Sequence, residues 1–210
     1  MAKKIDHDER REIFAAAALR VIMRRGIGGV TVREVAKEAG FTTGALTHYF
    51  RSKDQVLIEA SEHSAKLVRP MMDQHLAEMS GLEALRQMIY EILPHNAKMR
   101  GYWRIWVGFW ERSSYNPDVA RVMRLRYSEL RGRLGKQIKR AQTEGDIAAE
   151  SDPDEVAQGL IALIDGIGVQ VRLGAERIST ARQHELVDSW LAMITARKAP
   201  EKKRAARKAS

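Results

Sequence analysis

Apolar side chains recur at three- and four-residue intervals along almost the whole chain, the period of helices lying against a core. Residues 8–25 place Phe14, Ala18, Val21 and Ile22 on one stripe, and Val32, Val35 and Ala36 make a shorter one. Leu46 and Phe50 stand four apart. The next stripe runs through Val56, Leu57, Ala60, Ser64, Leu67 and Val68, and Pro70 is expected to kink or end its helix. Further stripes cover 82–93, 99–114, 117–143, 153–173 and 180–196. In 117–143, Met123, Tyr127, Leu130, Leu134 and Ile138 hold the inner face, and the Lys and Arg residues read as a solvated surface. In the last helix Leu186, Trp190 and Ile194 sit four apart. Strand-like alternation and repeats of 20–50 residues are both lacking. The chain is therefore expected to be all-α.

Punctuation is sharpest in residues 31–53, TVREVAKEAGFTTGALTHYFRSK. Thr31 and Glu34 have capping-box spacing, Gly40 is a stop and a turn, and Thr42 can cap a second short helix. Leu46 and Phe50 point that helix inward, so Thr43, Ala45, Thr47, His48 and Tyr49 are expected to face out. A short helix with such an outer face, held across a tight turn by another helix, has the layout of a helix-turn-helix reader. Ser52 and Gln55 then open the following helix.

The segment from Phe14 to Leu57 resembles the DNA-binding domain of TetR-family bacterial transcriptional repressors. The matching residues are Gly26, Val30-Thr31-Val32-Arg33, Ala39-Gly40, Gly44-Ala45-Leu46 and His48-Tyr49-Phe50-Arg51-Ser52-Lys53. The resemblance implies contacts to double-stranded operator DNA from Arg33, Thr42, Thr43, Gly44, Ala45, Thr47, His48, Tyr49 and Lys53. Tyr49 and Lys53 match phosphate-contacting positions, and Thr42 stands at a helix N-terminus whose free N–H groups attract anions. It also implies a division into residues 1–53 as a three-helix helix-turn-helix domain and 54–197 as a helical effector-binding and dimerisation domain. Residues 198–210, rich in Lys, Arg and Ala, read as a disordered basic tail.

Charge adds weight to the reader. Residues 1–53 hold 11 Lys/Arg against 6 Asp/Glu, and residues 197–210 hold 7 against 1, within a net charge of +9. The positive charge thus sits where phosphate neutralisation needs it. The absence of Cys removes disulfides and thiolate metal sites. Met1 to Arg11 lacks an apolar leader, and the apolar segments read as interrupted by charges before they could span a bilayer. The expectation is a cytoplasmic, nucleoid-associated protein. The six His residues form no ligand motif, and neither a phosphate loop nor a nucleophile elbow is present, so neither an enzyme, a metal site nor a cofactor is expected.

Residues 99–114 carry Trp103, Trp106, Val107 and Trp110 on one face and Tyr102, Ile105 and Phe109 beside it, which marks a central helix. Only Arg104, Gly108, Glu111 and Arg112 are left for its polar side. In 153–173 a single acid, Asp165, interrupts the apolar core 159–171, and Gly159, Gly166 and Gly168 suggest close helix approach. The order Tyr102 to Trp110, followed by Ala162-Leu163-Ile164-Asp165-Gly166, is similar to the C-terminal domain of the BetI-type subgroup, whose name-giver responds to choline. Two alternatives stand open: Trp103, Trp106, Trp110 and Asp165 form a cation–π pocket for a small organic, cationic effector, or they are core. The resemblance further implies a homodimer through helices 153–173 and 180–196, acting as a ligand-responsive repressor on palindromic DNA. A sequence-tolerant architectural DNA binder is the alternative.

Overall fold

A computed structural model describes residues 7–73, 76–174 and 178–195. The basic tail therefore lies outside the described residues. Among those described the chain forms nine α-helices and no strand: α1 His7–Arg25, α2 Val32–Ala39, α3 Thr43–Tyr49, α4 Lys53–Asp73, α5 Gly81–Ile92, α6 Ala97–Ser113, α7 Pro117–Thr143, α8 Pro153–Leu173 and α9 Thr180–Thr195. The fold is all-α, as the periodicity requires.

The boundaries follow local chemistry. Thr31 accepts from Glu34 N, but the reciprocal half of the box is absent because Glu34 pairs with Arg25. Gly40 closes α2 at φ 77, a left-handed conformation that suits a residue without Cβ. Thr42 accepts from Ala45 N at 3.2 Å to open α3. Ser80 and Glu83 form a complete capping box at α5, and Asn116 and Asp152 cap α7 and α8 with proline in the first turn. Helix α4 does not end at Pro70; it runs on to Asp73. Leu67, expected inside, is 43% exposed, while Ser61 is buried instead.

Two cores share α4, α6 and α7. The first packs α1 to α4 around Phe14, Leu46, Phe50 and Leu57, and receives Tyr102, Ile105 and Phe109 from α6. The second joins α5, α7, α8 and α9 around Leu85, Leu134, Leu160 and Val187, and receives Trp103. Most of the side of α6 assigned to solvent in fact meets α1, the loop after it and the start of α4. Gly108 sits so close to Ile27 that a Cβ would come within 2.5 Å of its Cδ1. Arg104 Nη1 donates to the Met23 carbonyl at 2.8 Å. Arg112 Nε donates to Asp54 Oδ1 at 3.0 Å, and Asn116 Nδ2 donates to Asp54 Oδ2 at 2.6 Å.

Helix α7 also departs from expectation. Arg126, Arg133 and Arg140 are spaced seven apart and so return to nearly the same face. They reach Glu62, Asp73 and the carbonyls of Leu76 and Met79, stapling α7 to α4 and the segment after it. Arg121, Arg124, Arg131, Lys136 and Lys139 remain exposed. Helix α8 corrects a second reading: its 21 residues are apolar and long enough, by length and composition alone, to cross a membrane. Its inner side packs through Leu160, Ile161, Ile164 and Ile167 in the second core.

Candidate functional site

The outer surface of α3 rests on Leu46 and Phe50, both buried. Thr42, Thr43, Gly44, Thr47, His48 and, from α2, Arg33 are exposed together. Ala45 and Tyr49 are half-buried rather than fully outward. They lie one turn apart on the flank beside the inner stripe, and the Tyr49 ring packs 5.6 Å from that of Phe14 and 4.6 Å from that of His7. Lys53 is half-buried too; its Nζ donates to the Gly28 carbonyl at 3.5 Å, and burial lowers its pKa. Much of the basic charge nearby is internally spent. Glu38 binds Arg24 and Arg20, whose hydrogen bonds draw its carboxyl down to about 2. Arg33, Lys37 and Arg51 are exposed and have no acid partner among the described residues. Lys37 and Arg51 were not singled out from the sequence, because only the fold tells a paired cation from an unpaired one.

A cavity of roughly 170 Å³ lies between α4, α6, α7 and α8. Trp103, Trp106 and Asp165 line it; Trp110 does not. Trp103 is buried, donates Nε1 to the Ile92 carbonyl at 2.8 Å, and lays its six-membered ring on Gly168, where a Cβ would overlap it. Trp110 instead donates to the Tyr127 hydroxyl at 2.9 Å, and that hydroxyl donates to Asp165 Oδ2 at 2.7 Å. Burial raises the Asp165 pKa, partly offset by hydrogen bonds from Tyr127 and Trp106. Burial, followed by the bond to Asp165, pushes Tyr127 well above the usual phenol range. Among the described residues, Asp165 has no cationic partner.

The facing wall is more polar than the sequence suggested. Ser61 and Ser64 are buried hydroxyls on α4, and Arg69, Arg126, Glu129 and Arg133 complete it. Arg69 Nη2 and Arg126 Nη1 both donate to Glu129 Oε2, at 2.8 and 3.1 Å. Tyr127 was read only as an inner-face residue. The signal that could have found this wall is a pair of serines on an otherwise apolar stripe.

Helices α8 and α9 keep an apolar face open. Leu163, Leu186, Trp190 and Ile194 are half-buried, Met193 is 59% exposed, and nothing lies within 4 Å of a Cβ built at Gly166. Gly159, by contrast, seats the Trp190 ring within the chain, 2.9 Å from its would-be Cβ.

A capped two-helix reader joined to a helical body with a cavity defines the class: a helix-turn-helix regulator. Residues 14–60 match the family model for bacterial regulatory proteins of the tetR family, and residues 81–196 match that for the C-terminal domain of BetI-type transcriptional repressors. The chain belongs to the TetR family of bacterial transcriptional regulators, in its BetI-type branch. It is 28% identical over 183 residues to the transcriptional regulator PksA of Bacillus subtilis, covering 87% of this chain and 88% of that one. To BetI of Vibrio vulnificus it is 27% identical over 190 residues, covering 87% and 90%. A transcriptional regulator of Saccharomonospora viridis, solved in complex with choline, superposes with a TM-score of 0.80 at 27% identity, covering 89% of this chain and 97% of that one. These relatives are regulators and not enzymes.

Proposed function

We propose that the protein is a cytoplasmic, nucleoid-associated repressor that binds palindromic operator DNA as a homodimer and is released by a small cationic effector. The observation that carries this reading is the double role of α6. One face lines the cavity with Trp103 and Trp106, and the other holds α1, the loop after it and the start of α4, which frame the reader, through Arg104, Gly108 and Arg112. A ligand that prefers one position of α6 must therefore bias the reader. Residues 1–53 serve as the reader and 54–197 as the effector and dimerisation body.

Within the reader, Arg33, Thr43, Ala45, Thr47 and His48 face the bases. Thr42, Gly44, Tyr49 and Lys53 set the backbone register. Within the body, Trp103 and Trp106 offer ring faces to a cation, Asp165 supplies the negative charge, and Trp110 holds Tyr127 against Asp165. The open faces of α8 and α9 meet their copies in the partner, since two half-sites require two readers. The choline held by the Saccharomonospora regulator supports a quaternary ammonium as the class of effector.

The test is a fluorescence-anisotropy titration of the intergenic DNA beside its own gene, with and without choline. The expected result is preferential binding to a palindrome over scrambled DNA, with release on adding the cation. Equal binding to random DNA would favour an architectural protein instead.

A further inference from the structure

The turn between α6 and α7 carries the most exposed Phe, Tyr or Trp ring among the described residues. Tyr115 is 63% exposed, and its hydroxyl has no hydrogen-bond partner among them. The backbone on either side is fixed without it. Tyr115 N and Asn116 N both donate to the Arg112 carbonyl, at 3.2 and 2.9 Å, and the Asn116 side chain caps α7. Arg112 Cζ lies 6.0 Å from the centroid of the Tyr115 ring. The fold holds this ring at the surface and uses its aromatic face, but leaves its hydroxyl to the outside.

The turn is fastened to the edge of the reader. Arg112 and Asn116, on either side of Tyr115, both hold Asp54, at 3.0 and 2.6 Å. Asp54 follows Lys53, whose Nζ reaches the Gly28 carbonyl at 3.5 Å. Burial lowers the Lys53 pKa and the Arg112 charge lowers it further, so these two cations are near neighbours. Arg51, two residues before Lys53, is exposed and has no acid partner among the described residues. The acid of this patch, Asp54, is already engaged by Arg112 and Asn116. Arg51 and Lys53 therefore leave an unopposed positive field beside the Tyr115 hydroxyl, and the partner that field favours is an anion.

Resting on the proposal that Lys53 sets the backbone register, we propose that the α6–α7 turn is a further DNA-contacting element, in which the Tyr115 hydroxyl donates to a backbone phosphate next to the one Lys53 holds. Tyrosine is among the side chains that bond phosphate oxygens and fix register without reading bases. It carries no charge, so unlike Lys53 it displaces no counterion from the DNA. The contact lies just past the C-terminus of α6, the helix whose Trp103 and Trp106 line the cavity. The body of the protein thus touches the operator itself, and α6 has a path to the DNA that does not pass through α3.

The experiment measures binding of two duplexes, the palindrome beside the protein's own gene and a random sequence of equal length, over a range of salt. Tyr115→Phe keeps the ring beside Arg112 and removes only the hydroxyl. It should bind both duplexes about tenfold more weakly, the worth of one hydrogen bond to a charged group. Its slope of log affinity against log salt should match wild type, whereas Lys53→Ala should make that slope shallower by about one. Palindromes with single phosphates replaced by uncharged methylphosphonates then locate the contact. Tyr115→Phe should lose sensitivity at one phosphate in each half-site, adjacent to the one where Lys53→Ala loses it. Unchanged affinity of Tyr115→Phe for both duplexes would overturn this inference and leave the regulator reading standing. A loss confined to the palindrome, or mapped away from the Lys53 phosphate, would overturn the assignment to this phosphate. A lowered melting temperature in Tyr115→Phe would make the loss structural and overturn it as well. Failure of wild type to bind either duplex would overturn the DNA-binding reading, and this inference with it.

Discussion

At the scale of single residues, the exposed face of α3 offers Thr43, Thr47 and His48 and lacks the Arg, Asn and Gln side chains that pair bidentately with guanine or adenine. Threonine methyls suit thymine instead. Arg33, exposed on α2 and free of an acid partner among the described residues, is the group placed to read guanine. Arg33→Ala should cost about 1–3 kcal/mol at one base pair and relax preference there, measured on single-base operator variants. Weakening that is uniform over all variants would make it a phosphate contact. Asp165 makes a prediction about pH. Its pKa in the fold is raised above the ordinary 3.8, so the folded protein binds more protons than the unfolded chain just above that value. Stability contributed at this position is present at low pH and is lost as pH rises from 3.8 through the folded value. Affinity for a cationic effector should rise over the same window. Asp165→Asn should flatten both dependences, raising the melting temperature near neutral pH while reducing cation binding; an unchanged or lower melting temperature would count against a burial cost on this acid.

At the scale of elements, close approach does the positioning. Trp103 lies on Gly168 so tightly that even a methyl group there would displace the indole. Gly168→Ala should destabilise the protein by about 1–3 kcal/mol and shift its Trp fluorescence, because an overfilled core must move a rigid ring. A variant with unchanged emission and unfolding midpoint would show that the ring has slack. The helices themselves, the stop at Gly40 and the starts at Thr42, Asn116 and Asp152 were legible because caps and periodicity are local. Partners across the fold were not. The phase of α6 suggested that three indoles shared a site, and their angular positions agree. Trp110, however, is seven residues beyond Trp103, about 10.5 Å along the axis, and so passes the end of the cavity. The seven-residue spacing of Arg126, Arg133 and Arg140 was visible, but nothing local distinguishes an arginine facing α4 from one facing water. Pro70 was read as a kink or an end; α4 does not end there and is held past it by contacts from α7, including Arg133 to the Arg69 carbonyl at 3.2 Å.

At the scale of the whole molecule, the open side of α8 and α9 is where a second copy must sit if two readers are to meet one palindrome. Leu163 is on that side and half-buried, next to Gly166, whose surroundings are empty. Leu163→Glu should convert a dimer into a folded monomer by sedimentation velocity and abolish operator binding, with helix content retained in circular dichroism. A variant that remains dimeric would move the interface elsewhere. A partner on that surface would explain why α8 is apolar on more sides than its own chain buries.

The anchoring of Asp54 by Arg112 and Asn116 has a consequence for the cell rather than for the fold. Under the proposed function, a helix shared by the sensor and the frame of the reader cannot report in one direction only. Whatever factor the effector takes from operator affinity, the operator must take from effector affinity. On that function, the protein seated on DNA is a duller sensor than the protein free in solution. The threshold concentration for induction will rise with the number of operator copies, and effector titrations with and without operator DNA will measure by how much.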